Sequence, residues 1–212
     1  MRTFSQLVGI AKRILRGEDV ILISQDASQW NRQFQAGRWD RLVTNQPNTD
    51  TIARILLEEV MDREDQKAQP SVLDVGCGNG GLAKSVGIDM TRIQYLGIDI
   101  SDTAIQKAQL NLPNARFRVC DATNPSTDLG SFDIFIFNEV LYYINPLEVL
   151  PRYALLARPD ATVIISVIRS WRTPFIWQRI RSRMNLERTF SVDEIETSRC
   201  WDIAVGSFRA FE

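Results

Sequence analysis

The stretch that decides the fold is Val72-Leu73-Asp74-Val75-Gly76-Cys77-Gly78-Asn79-Gly80-Gly81. The apolar run from Ser71 to Val75 predicts a short strand, and Gly81 to Val86 reads as the helix that follows it. Glycines at 76, 78 and 80 sit between them, where glycine permits positive φ and lets a ligand approach the backbone closely. A second piece is Tyr95-Leu96-Gly97-Ile98-Asp99-Ile100, in which Asp99 ends the next strand, 21 residues after Gly78. A carboxylate there can accept hydrogen bonds from both hydroxyls of a ribose. Gly76, Gly78 and Gly81 also satisfy G-x-G-x-x-G, a pattern that suits dinucleotides as well. Asp74 argues against a dinucleotide, because a carboxylate two residues before the first glycine repels a pyrophosphate and suits a cation. The competing interpretation is a tight strand–helix turn that binds nothing; the loop and Asp99 occurring together at this spacing weigh against it.

Outward from the loop the pattern alternates. Ile93 to Ile100 is a strand, Asp102 to Asn111 a helix, and Arg116 to Cys120 a strand. Phe132 to Phe137 is almost continuously apolar, as a central strand covered on both faces should be. Leu147 to Ala157 reads as a helix and Thr162 to Ile168 as another buried strand. Such alternation implies a parallel sheet with right-handed crossovers. Two tail strands, near Leu186 to Val192 and Cys200 to Phe208, are placed to close the sheet as a hairpin. On the N-terminal side, residues 4 to 15 are spaced as an amphipathic helix. Residues 24 to 50 are polar yet carry Trp30, Phe34 and Trp39, aromatics that pack onto something. A helix is expected from Asp50 to Met61, capped by Asp50 or Thr51.

Composition removes several classes of function. With 212 residues, 44% hydrophobic and a net charge of −1, the chain suits one domain with a sizeable core and no global attraction to nucleic acid. It contains no histidine, which excludes Ser-His-Asp triads and HExxH metal sites. Cys77, Cys120 and Cys200 are odd in number and lack C-x-x-C spacing, so neither a disulfide framework nor a zinc site is expected. No apolar run approaches the roughly 20 residues that span a bilayer. Met1-Arg2 is followed by no signal-type apolar region. A cytoplasmic protein without stable membrane insertion is the expectation.

With these residues in hand, positions 70 to 168 resemble class I S-adenosylmethionine-dependent methyltransferases. Residues 73 to 80 look like that family's first motif, whose loop wraps the methionine part. Gly97-Ile98-Asp99-Ile100-Ser101 looks like the second, Cys120-Asp121-Ala122 like the third, and Phe132-Asp133-Ile134 through Asn138-Glu139-Val140 like the fourth. The resemblance implies an α/β, Rossmann-like seven-stranded sheet of order 3-2-1-4-5-7-6, strand 7 antiparallel, with helices on both faces. It divides residues 1–212 into an N-terminal helix and lid (1–50) and a core (51–212). It implies S-adenosyl-L-methionine as cofactor, with S-adenosyl-L-homocysteine as product. Its contacts would be Asp74, Gly76, Cys77, Gly78, Asp99, Ile100, Asp121, Ala122, Asn138 and Glu139. The segment from Asn138 to Ile144 is similar to NodS-like small-molecule and glycan methyltransferases, and 30–40 looks like their lid. By that likeness Trp30 and Arg38 reach the cofactor.

Methyl transfer chiefly requires alignment of the partners and exclusion of water. Where a base is needed, the candidates are Glu139, Tyr142 and Tyr143; the two tyrosines are adjacent, so one is expected to face the site and the other to pack. An amine acceptor needs no strong base, which favours N- over O-methylation slightly. The basic, aromatic stretch 169–183 reads either as a site for an anionic or sugar-bearing acceptor or as an amphipathic helix whose aromatics join the core, the second twice as strongly. A small-molecule or glycan acceptor is thus expected, with no nucleic-acid partner. The rivals are a non-catalytic S-adenosylmethionine-binding partner protein, an NAD(P)-dependent oxidoreductase, and a methyltransferase acting on a macromolecule.

Overall fold

The structure, a computed structural model, describes residues 26–40, 46–63 and 69–209. The helix expected over 4–15 lies outside them. Two helices come first, α1 (Ala27–Gln35) and α2 (Pro47–Met61). Then strands and helices alternate: β1 (Ser71–Val75), α3 (Gly81–Val86), β2 (Gln94–Asp99), α4 (Asp102–Asn111), β3 (Arg116–Val119), β4 (Phe132–Asn138), α5 (Pro146–Ala154), β5 (Ala157–Ile168) and α6 (Thr173–Arg183). A hairpin of β6 (Met184–Glu194) and β7 (Arg199–Phe208) ends the described chain. The sheet order is β3-β2-β1-β4-β5-β7-β6. β7 runs antiparallel to β5 and the strands from β3 to β5 pair in parallel, as the motifs imply.

The continuous apolar strands read as they do because both faces are covered. In β4, Phe135 and Phe137 join Leu73, Val163, Ile165, Tyr153 and Trp177 on one face, against α5 and α6. Ile134 and Ile136 join Val72, Ile164 and Ile203 on the other, against Ile52, Ile55 and Leu56 of α2 and Leu82 of α3. The period of two along each strand thus divides the apolar residues between two cores.

Three expected boundaries move by three residues or more. The helix expected from Asp50 starts a turn earlier, at Pro47, with Gln46 as an N-cap that makes no side-chain bond. Proline's fixed φ and missing N–H suit that first position, and Asp50 instead accepts a hydrogen bond from the Ser85 hydroxyl (2.9 Å). The helix expected to reach Ala157 ends at Ala154, and β5 begins at Ala157 rather than Thr162. Arg158, Pro159 and Asp160 are exposed, so the start of that strand carries no apolar signal; pairing of Ala157 with Phe132 sets it.

At Gly206 in β7 an added Cβ would lie 2.0 Å from the Asn185 carbonyl oxygen, next to the register shift between Leu186 and Arg188. The atoms it would meet are all β6 backbone, which cannot yield cheaply. Gly206→Ala is therefore expected to cost about 2 kcal/mol or more of stability, read as a lower urea midpoint with an unchanged slope.

Candidate functional site

Open α/β sheets bind ligands at the carboxyl ends of their parallel strands, and a cavity of about 630 Å3 lies there. Its floor is the glycine loop. The Ile98 carbonyl accepts hydrogen bonds from both Gly76 N–H (2.8 Å) and Cys77 N–H (2.9 Å). Asp99 accepts from Gly78 N–H (3.0 Å) through one oxygen and from Ser101 N–H (2.8 Å) through the other. Gly76, Gly78 and Gly80 all have positive φ, at 74°, 55° and 86°. Gly76 is required twice, because a Cβ there would also meet Val140 at 2.8 Å. The loop's shape follows from bonds to the end of β2 as much as from its own glycines.

Buried carboxyls surround this floor. Asp74 accepts a hydrogen bond from the Tyr95 hydroxyl (2.6 Å), yet burial raises its pKa to about 7 against that bond, with Asp99 pushing the same way. Burial also raises Asp99, opposed by its backbone donors. The Cys77 thiol is pushed up by burial and then by Asp74 and Asp99, so it stays protonated and packs as a small apolar group. Across the cavity, Glu139 follows β4 with φ 60°. Its oxygens accept from the Tyr142 (3.2 Å) and Ser166 (3.3 Å) hydroxyls. Burial lifts its pKa to about 7, with bonds from Tyr142, Trp201 and Ser166 opposing.

Helix α1 forms the roof. Its Asn31 side chain accepts from the Ser101 hydroxyl (2.6 Å), and Ser101 in turn caps α4. Lys107 Nζ donates to the Phe34 carbonyl (2.7 Å) and pairs with Asp40 (2.6 Å). Asn79 Nδ2 donates to the Trp39 carbonyl (3.0 Å). Trp30 meets Tyr143 edge to face, ring centres 4.9 Å apart, and packs near Phe34 and Trp39.

A family model described as a methyltransferase domain matches residues 66–207. The chain belongs to that family. It is similar to a release factor glutamine methyltransferase of Rhodopirellula baltica, 25% identical over 144 residues that make up 60% of this chain and 48% of that protein. It is also similar to nocamycin O-methyltransferase of Saccharothrix syringae, 32% identical over 120 residues, 52% of this chain and 42% of that one. The match thus spans less than half of these relatives' own lengths. Among solved structures it resembles the N-methyltransferase NodS from Bradyrhizobium japonicum WM9 in complex with S-adenosyl-L-homocysteine. There the TM-score is 0.63 at 14% identity, over 85% of this chain and 99% of that one; at that identity the likeness is one of fold.

In this methyltransferase domain most residues singled out from the sequence line one cavity. Trp30 belongs to its roof; Asp74, Gly76, Cys77 and Gly78 to its floor. Asp99, Ile100, Asp121 and Ala122 line the β2–β3 side, and Asn138, Glu139, Tyr142 and Tyr143 the β4 side. Arg38 is exposed and is not among the lining residues. Tyr142 and Tyr143 both line the cavity, contrary to the expectation that one would pack away. They sit in a turn closed by Tyr143 N–H to the Val140 carbonyl (2.9 Å), where neighbouring side chains need not point apart. In 169–183, Ile176, Trp177 and Ile180 are buried while Trp171 and Phe175 are exposed, and none of that stretch lines the cavity. Sequence reasoning missed Asn48 and Thr49, which hold the Asn138 amide at 3.1 and 3.3 Å. It also missed Tyr95 behind Asp74, Ser166 behind Glu139, and Arg199 and Trp201 from β7.

The raised carboxyls fix a sign. Asp74 holds in the fold a proton that the unfolded chain releases above its ordinary 3.8. Its favourable contribution is thus full below that pH and fades as pH rises through about 7. Asp74→Asn is expected to melt at a higher temperature than wild type at pH 8, the gap closing toward pH 4, in ligand-free thermal scans.

Proposed function

We propose that this protein is an S-adenosylmethionine-dependent methyltransferase of the NodS-like kind, acting on a small-molecule or glycan acceptor, at an amine nitrogen ahead of a hydroxyl. The observation that carries the reading is the convergence, in one roofed cavity, of the positive-φ loop 76–80, the carboxyls of Asp74, Asp99 and Asp121, and Glu139 with its two tyrosines. The donor set fits the cofactor. Asn79 lines the cavity and its Oδ1 is buried with no hydrogen-bond partner among the described residues, an acceptor of the kind an ammonium group satisfies. Asp74 and Asn79 would hold the amino-acid tail, Asp99 the ribose hydroxyls, and Asp121 with Ala122 the adenine. The Ala122 carbonyl is already engaged by the Tyr153 hydroxyl (3.1 Å), which fixes that segment. S-adenosylmethionine supplies a methyl group on sulfonium, activated for in-line displacement.

The chain's own work is then positioning, exclusion of water and proton handling. Trp30, packed edge to face with Tyr143, covers the space between loop and acceptor side. Asn48 and Thr49 lock Asn138. Glu139, with its pKa near 7 and its side chain fixed by Tyr142 and Ser166, accepts the acceptor's proton at a carboxylate oxygen when the acceptor still carries one. A cleft of this volume suits a small acceptor.

Calorimetric titration with S-adenosylhomocysteine tests the reading: wild type binds in the micromolar range and Asp99→Ala does not. A well-folded wild type that fails to bind would sink it. With an acceptor found by screening that keeps its proton at working pH, Glu139→Gln is expected to lower the rate of S-adenosylhomocysteine formation by about 100-fold. It should also remove the rise in rate through pH 7 that wild type shows, a rise expected because only the ionised carboxylate takes a proton.

A further inference from the structure

The cavity wall is strongly acidic, with Asp26, Asp74, Asp99, Asp121 and Glu139, and Arg199 is the one cation among its described lining residues. Arg199 opens β7, paired in register with Glu194 of β6. The Glu194 carboxylate accepts from the Thr197 hydroxyl and forms no ion pair with Arg199. Of the arginines nearby, Arg169 pairs with Asp202 (2.7 Å) and donates to Ser191 (2.6 Å). Arg172, over the Trp171 ring at 5.6 Å, is outside the cavity lining, though its charge reaches Tyr143. Arg199 itself makes no ion pair or side-chain hydrogen bond to a described residue. A guanidinium left in this way, half-buried on the wall of a cavity, lacks the oxyanion its planar fork is shaped for.

The sheet acts as a ruler for what Arg199 can reach. Because β7 is antiparallel, its first residues lie at the same edge as the carboxyl ends of β1, β2 and β4; Trp201 pairs with Ile168, the last residue of β5. From Asp99 on β2 to β7 the path crosses β1, β4 and β5, four steps of about 4.8 Å, or about 19 Å in all. A ribose at Asp99 and an amino-acid tail at Asp74 and Asn79 would take up the β2 and β1 side of that path. Arg199 stands beyond Glu139, on the far side of the group that would take a proton. The same cavity lining includes the largely apolar side chains of Tyr142, Ile144, Ile168 and Trp201.

We propose that Arg199 sets acceptor specificity by forking onto an oxyanion, a carboxylate or a phosphate, of a small acceptor whose apolar body lies against Trp201, Tyr142 and Ile144. This rests on the methyltransferase reading and narrows its acceptor to an anionic molecule carrying the methylated atom at the end that faces Glu139. The site comes from the sheet's last hairpin, not from the basic stretch 169–183.

The test uses the full chain saturated with S-adenosylhomocysteine and three probes of similar body: benzoate, phenyl phosphate and neutral benzyl alcohol. Binding is read by ligand-observed NMR titration. At least one anion is expected to bind wild type about tenfold or more tightly than benzyl alcohol; which anion wins distinguishes a carboxylate from a phosphate acceptor. Arg199→Gln removes the preference and Arg199→Lys keeps part of it. The affinity for S-adenosylhomocysteine stays within about twofold in both, because the charge-assisted hydrogen bonds removed belong to a separate subsite. Equal binding of charged and neutral probes, no binding of any probe, or a preference that survives Arg199→Gln would overturn the proposal. A fall in S-adenosylhomocysteine affinity in Arg199→Gln would also overturn it, by assigning Arg199 to the cofactor's carboxylate. Failure of wild type to bind S-adenosylhomocysteine at all strikes instead at the methyltransferase reading beneath it.

Discussion

The end of β2 holds the glycine loop, and the rest of the site inherits its position from that grip. One carbonyl, Ile98, takes the N–H groups of Gly76 and Cys77, and one carboxylate, Asp99, takes that of Gly78. Three backbone donors are thereby satisfied inside the fold, and the loop has one shape available to it. Val140 closes on Gly76 and the Phe34 ring sits 3.6 Å from where a Gly78 Cβ would lie. The segment after β4 and the roof helix are thus both seated against the loop. The same Asp99 that holds the loop also lines the cavity.

The price of this arrangement is a group of acids kept in a poorly solvated place. Asp74 and Glu139 are pushed to about 7 by burial, and no lysine or arginine is among the causes acting on either. Tyr95 and Tyr142 donate to them, which offsets the desolvation in part. A core optimised for stability alone would not retain such groups; perturbed carboxyls gathered in one cleft are the mark of a site that works on charge. The positive φ of Glu139 (60°) belongs to the same pattern, since a non-glycine residue in that region persists where its surroundings require it.

Local signals were legible and long-range ones were not. The apolar runs of β1 and β4, and the glycines before α3, are short-range patterns, and each falls where it was expected. Alternation then dictates a parallel sheet, and the motifs imply the order in which its strands lie. Asp99, Asp121 and Glu139 could be placed at strand ends because strand ends are visible in one dimension. Asn48 and Thr49 could not, because they meet Asn138 across 90 and 89 residues, and a polar pair at the start of a helix looks like any cap. Arg199 is hidden for the same reason: nothing near it in the chain distinguishes it from Arg172 or Arg179, and only the antiparallel return of β7 brings it to the cavity. The starts of α2 and β5 are displaced where Pro47 and the polar Arg158–Asp160 segment carry no apolar periodicity.

The measurement that bears most directly on the central claim is hydrogen–deuterium exchange with and without S-adenosylhomocysteine. If loop, roof and β4 end form one ligand site, the ligand slows exchange together in residues 76–80, 27–36 and 138–143 and leaves β6 unchanged. Protection confined to other elements, or none at saturating ligand, would contradict the account.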